Sequence, residues 1–289
     1  MKRIIAVCGV SAALCIVTSL QAAQYPAGPD GSCTDTLTII DLQQESPTTT
    51  CSPASGDTVM GVKGIVTGFD AVPVAYAFWI QMSGTGPWKG VQVFTGATNY
   101  ASPVSDSPSG GNLHLGDQVV VYGRKLEFNS QTEFSDFDNV QSTNDLIVRR
   151  DTPASTALPP FFVGDVHQFN WVPSISGNLA EQWEGMLVKL RGPLSVVRTA
   201  GTGIGVRAML IGSSSFPADT AAIDGFLLSN IPALPVGTVI DSVQGVLAQT
   251  TIAGVPSYRI LMRDSGDLFF DQSQSARHES LGSLKARYR

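Results

Sequence analysis

Apolar and polar residues alternate along much of this chain with a period of two. The pattern is plain at Val62, Gly64 and Val66, at Val91 and Val93, and at Val119 and Val121. Successive side chains of a strand point to opposite faces, so this alternation marks half-buried β-strands. It predicts strands over 59–69, 76–82, 89–95 and 118–128, and a fifth that starts at Thr132 and runs, with a break, to Val148. The stretch 97–111 is rich in Ser, Pro, Gly and Asn and reads as a long loop.

The strand pattern then recurs. VKGIVTGF (62–69) and LHLGDQVVVYGRKLEF (113–128) are echoed by WEGMLVKLRGPL (183–194) and LPVGTVIDSVQGVL (234–247). Each copy crosses a glycine in its opening strand (Gly64, Gly192), reaches a Gly-centred turn (Gly116, Gly237) and enters a strand with a second glycine (Gly123, Gly245). An internal repeat of this length means one β-unit used twice. Five short strands at this spacing suit an OB-type Greek-key barrel. The expected fold class is therefore all-β: two tandem OB-like Greek-key barrels behind a disulfide-tied N-terminal leader. The middle of the second copy is less regular; 206–211 reads as a strand, and 213–230 has room for a short helix.

Residues 1–23 read as a secretory signal: Lys2 and Arg3, an apolar run from Ile4 to about Leu20, then Ala22 and Ala23. The rival is an uncleaved anchor, but the run is short for a span and carries Ser11, Thr18 and Ser19. Lipidation of Cys15 is disfavoured by the bulk of Leu14 before it. The remainder divides into a polar leader (24–57), a first barrel (58–150), a Pro-rich connector (151–180), a second barrel (181–271) and a basic tail (272–289), read as disordered or weakly helical. The expected location is the periplasm or the extracellular space, with no membrane span after signal cleavage. Cys33 and Cys51 are the cysteines left after export, and an oxidising compartment would join them. The closed loop of roughly twenty residues is worth about 3 kcal/mol in chain entropy.

Charge narrows the partners. The chain holds 18 basic and 24 acidic residues. Without Lys2 and Arg3, and without Arg277, Lys285, Arg287, Arg289 and Glu279 of the tail, 12 basic and 23 acidic residues remain, net −11. Such a body repels phosphate at long range. His114, His167 and His278 are scattered, no pair has metal-ligand spacing, and neither a nucleophile elbow, a phosphate-binding loop nor a zinc-protease motif occurs. GTGIG (201–205) reads as a hairpin turn. Glu133, Asp136, Asp138 and Asn139 offer the oxygens calcium takes, or else form a solvated strand edge with Phe134 and Phe137 as core. No cofactor is expected.

The surface with the strongest functional claim is aromatic. With Phe78, Ile80, Val91 and Val93 inward, Trp79, Gln81, Gln92 and Phe94 share the outer face of strands two and three, with Trp88 and Lys89 in the turn beside it and Arg124 as a further cation. That face of an OB barrel is a frequent ligand site, and flat aromatics there stack on bases or sugars. The alternative is that Trp79 and Phe94 pack against the connector or the other barrel.

The strings VKGIVTGF, FWIQ, GVQVF and LGDQVVVYGRKLEF, followed by WEGMLVKLRGPL after the connector, resemble the accessory region of large secreted bacterial nucleases, in which an OB-like domain precedes an exonuclease–endonuclease–phosphatase catalytic domain. The resemblance covers residues 59–197. It implies an accessory role beside a separate secreted enzyme, and the aromatic face adds single-stranded nucleic acid or oligosaccharide as the expected ligand. It assigns no catalytic residue here, because the family's catalytic motifs do not occur in this sequence. The expectation is a non-catalytic exported binding or adaptor protein. The alternatives are an envelope assembly protein that uses its barrels for protein contacts, and a nuclease-related enzyme.

Overall fold

The computed structural model describes residues 37–43, 53, 55–56, 58–70, 76–96, 113–135, 146–152, 157–171, 179–199, 208–225, 227, 234–252 and 255–270. The signal, Cys33, Cys51, the tail, and Asp136, Asp138 and Asn139 lie outside them.

The described residues are nearly all β. A short helix α1 (Ile39–Gln43) precedes β1 (Thr58–Asp70), β2 (Tyr76–Gln81), β3 (Gly90–Gly96), β4 (Gln118–Phe128), β5 (Gln131–Ser135) and β6 (Ile147–Thr152). Pairing runs β1-β2-β3-β5-β4 and returns from β4 to β1, closing a five-stranded barrel; β6 adds to β4. Only β3 and β5 run parallel among the five. The second sheet contains β7 (Phe162–Gly164), β8 (Leu187–Arg198), β9 (Ala208–Ser213), β10 (Phe216–Asp224), β11 (Val239–Ile252), β12 (Val255–Leu261) and β13 (Leu268–Phe269). Its pairings run β8-β9-β10-β12-β11, and β11 also pairs with β8. Here β10 and β12 are the parallel pair, so the order repeats that of the first barrel.

The repeated glycines have equivalent jobs. Gly116 and Gly237 adopt φ of 89° and 87°, the left-handed region that a side chain resists. A Cβ on Gly123 would lie 2.5 Å from the Ser135 carbonyl oxygen, and one on Gly245 2.2 Å from that of Leu261. Each sits where β4 or β11 passes close to the next strand.

Two cores follow from the alternation. Val62, Val66, Phe78, Ile80, Val93 and Phe134 fill the first barrel, joined by Ile39 and Leu42 of α1. Part of the leader is thus apolar and plugs the barrel. Val188, Leu190, Ile211, Ile223, Val243 and Ile260 centre the second core. Val166 and Phe169 join it, and Phe162 stacks on Trp183 with ring centroids 3.4 Å apart. Half of the expected connector therefore belongs to the second unit. Within 213–230, which had room for a short helix, residues 216–224 form strand β10. The Ala-rich run is locally permissive, and pairing to β9 on one side and β12 on the other decides the outcome.

Candidate functional site: a seam and cleft between the two sheets

In β2 and β3, Phe78, Ile80, Val91 and Val93 do point inward. Trp79 and Phe94 do take the opposite face. That face is covered, not exposed: Ala77 and Trp79 form a cluster with Leu187, Val246, Ala248 and Leu261 of the second sheet, with Phe94 packed alongside. Trp79 is 1% exposed and Gln81 is fully buried. The expected open stacking surface is corrected accordingly. Its apolar area is removed from water by the outward row of β8, β11 and β12, which is the larger gain for two sheets joined in one chain.

Hydrogen bonds stitch the seam. The Leu187 amide donates to Gln81 Oε1 at 2.8 Å, the Trp88 amide to the Gln182 carbonyl at 2.7 Å, and the Thr132 amide to Glu184 Oε1 at 2.9 Å. Gln43 donates to the Gly90 carbonyl, so α1 reaches the same seam. With its amide oriented by the surrounding acceptors, Gln249 donates to the Ser130 carbonyl at 2.6 Å and to Glu184 Oε2 at 2.8 Å. Tyr258 donates to Glu181. Burial pushes the Glu184 carboxyl well above the usual carboxylate range, the nearby Glu181 charge adds to this, and the bonds from Thr132 and Gln43 oppose it.

Beside the seam lies a cleft of about 240 Å³. The first barrel supplies Trp79, Gln92, Gln131 and Glu133, with Phe128 and Asn129 from the turn into β5; the second sheet supplies Asp224, Arg259 and Gln249 next to apolar Ala248 and Leu261. Gln131 donates to Gln92, and Arg259 is paired with Asp224. Burial, then the Glu127 charge, pushes the Glu133 carboxyl up to about 8. Three atoms of these residues are buried without a partner among the described residues: Trp79 Nε1, Asp224 Oδ1 and Arg259 Nε. No Ser, Thr, Cys, His or Lys lines the cleft among the described residues. Its chemistry is hydrogen bonding by side-chain amides, a guanidinium and two carboxyls.

The sequence-expected residues are thus divided. Trp79 and Gln92 line the cleft, Gln81, Phe94 and Trp88 lie at the seam, and Lys89 donates to the Thr85 carbonyl at 2.7 Å within its own hairpin. Arg124 is turned away, to the Gly56 carbonyl at 3.1 Å. Of the acidic run considered for calcium, Glu133 is buried in the cleft wall, and among the described residues no three His, Cys, Asp or Glu side chains gather as a metal set. Glu184, Gln249, Asp224, Arg259 and Phe128 went unrecognised. Glu184 had a signal: it lies in WEGMLVKLRGPL (183–194), one of the strings that carry the resemblance. His167 is also better placed than its isolation in sequence suggests. Its Nδ1 lies 2.7 Å from Asp219 Oδ2, and Asn170 donates to the other oxygen at 2.6 Å, tying 165–171 to β10.

No protein-family profile matches this chain, and no curated protein matches it significantly.

Proposed function

We propose that this chain is a non-catalytic binding or adaptor module of two OB-like barrels in tandem, exported and carrying a Cys33–Cys51 disulfide in its leader. The pairing order 1-2-3-5-4-1, repeated in the second sheet, supports the OB-like assignment. The observation that carries the reading is the inter-sheet cleft, where Gln92, Asn129, Gln131 and Glu133 converge beside apolar Ala248 and Leu261. Small-molecule sites are concave, sit at domain interfaces and pair apolar walls with a few convergent polar groups. Single-stranded nucleic acid stacked on the β2–β3 face is disfavoured, because the second sheet occupies that face. The resemblance to nuclease accessory regions supports action beside a separate secreted enzyme.

The test is titration of the purified mature protein with short saccharides and with a short oligothymidylate, followed by backbone amide shifts. Saturable binding that perturbs β3, β5 and β12, without turnover of either probe, is the expected outcome. Absence of binding by both probe classes contradicts the reading, as does probe cleavage abolished by a point substitution in this chain. A second reading, envelope assembly through protein contacts, draws on the exposed Val197 and Val239 of the second sheet and Val236 in the turn before β11. It predicts that Val236→Asp and Val239→Asp disrupt a complex while leaving small-ligand binding intact.

A further inference from the structure

We propose that the inter-sheet cleft takes a neutral polyhydroxylated ring, a sugar residue stacked on Phe128 and hydrogen-bonded to the polar wall formed by Gln92, Asn129, Gln131 and Glu133. This rests on the binding-module reading and names its ligand class.

The size comes first. At about 240 Å³ the cleft lies just under the ~300–1,000 Å³ range of drug-sized pockets, which suits one or two rings. Polarity comes next. A wholly apolar guest would bury the polar groups of Gln92, Asn129, Gln131 and Glu133 against carbon. Side-chain amides such as these offer both donors and acceptors, a mixture that hydroxyl groups satisfy because each both donates and accepts.

Charge decides against phosphate. Arg259 is the cation of the lining, and its guanidinium is already paired with Asp224. Asp224 and Glu133 add carboxyls to the walls, and Glu133, pushed up to about 8, is mostly neutral at pH 7 and so able to donate to a hydroxyl. An anionic guest would meet no free positive charge there among the described residues.

Phe128 supplies the platform. It is 62% exposed at the end of β4 and borders the cleft. The two-residue turn Asn129-Ser130, with φ of 53° and 67°, fixes it opposite Gln131. An exposed aromatic above a polar cleft wall is the arrangement on which the C–H face of a sugar ring packs while its hydroxyls reach the wall.

The experiment is calorimetric titration of the mature full-length protein with di- and trisaccharides built on glucose, galactose and N-acetylglucosamine, beside a short oligothymidylate and inorganic pyrophosphate. At least one saccharide series should bind saturably. Phe128→Ala should weaken that binding about tenfold or more with an unchanged melting temperature, since the side chain is exposed, and Gln92→Ala should weaken it severalfold. Val236→Ala, outside the cleft, should leave it unchanged. Binding of oligothymidylate or pyrophosphate through the cleft, with no saccharide bound, overturns the sugar assignment and leaves the binding-module reading standing. Saccharide binding indifferent to both Phe128→Ala and Gln92→Ala also overturns it. If none of the probes binds, both fall.

Discussion

Gly90 and Gly185 meet backbone against backbone across the seam. A Cβ on Gly90 would lie 2.2 Å from the Gly185 carbonyl carbon, and one on Gly185 2.5 Å from that of Gly90. Gly185 also holds φ at 71°. The first barrel and the second sheet can approach this closely only where neither chain carries a side chain. That contact places Glu184 against Thr132 and Leu187 against Gln81.

Gly90→Ala should therefore destabilise the protein, because the atom it meets is backbone and cannot swing aside. Overpacking of this kind costs on the order of 1–3 kcal/mol. Gly185→Ala adds left-handed strain to the same clash and should cost more. Chemical denaturation of both variants measures this, with increased protease sensitivity of the segment joining the two units as a second readout. Wild-type stability in Gly90→Ala would contradict the close contact.

Trp79→Ala should act on the fold. The side chain is buried among Leu187, Val246, Ala248 and Leu261, and emptying such an aromatic site costs about 3–5 kcal/mol. A sharp fall in melting temperature is expected. An unchanged melting temperature would mean that the indole faces solvent.

Stability should fall as pH rises. A carboxyl with a raised pKa binds its proton more tightly in the folded chain than in the unfolded one, so its contribution is greatest below the ordinary value and is lost on the way up. For Glu133 the window runs from 4.5 to about 8, and Glu184 acts in the same direction. Melting temperature across pH 5 to 9 checks the sign. Glu133→Gln, which mimics the protonated form, should flatten the slope, and a slope that rises with pH would contradict the burial of these groups.

Much of the fold was legible in the chain. Alternation located β1 to β4, and the glycine echoes predicted that β8 and β11 would replay β1 and β4. The inward set of β2 and β3 was legible for the same reason. What covers the outward set was not, since a period of two says which residues share a face and is silent on what lies against it. Trp79 beside Gln81 and Gln92 reads equally as an open stacking surface or as a buried polar seam. The cleft draws on both units, with Glu133 and Asp224 far apart in sequence, and no local pattern joins them. Strand β10 was obscured by alanines at positions 218, 221 and 222, whose weak local preference yields to sheet pairing. Helix α1 was obscured by its brevity; one turn carries little periodicity.

The central claim is that the two units share one buried seam, and amide hydrogen exchange of the mature protein reports on it most directly. The amides of Trp88, Thr132 and Leu187 each donate to an acceptor on the other unit, Gln182, Glu184 and Gln81 respectively. With the seam closed, all three should exchange as slowly as core amides such as that of Val93, and Gly90→Ala should speed all three together while sparing Val93. Fast exchange at these three positions in the wild-type protein, beside a protected Val93, would show two units that move independently and would contradict the account.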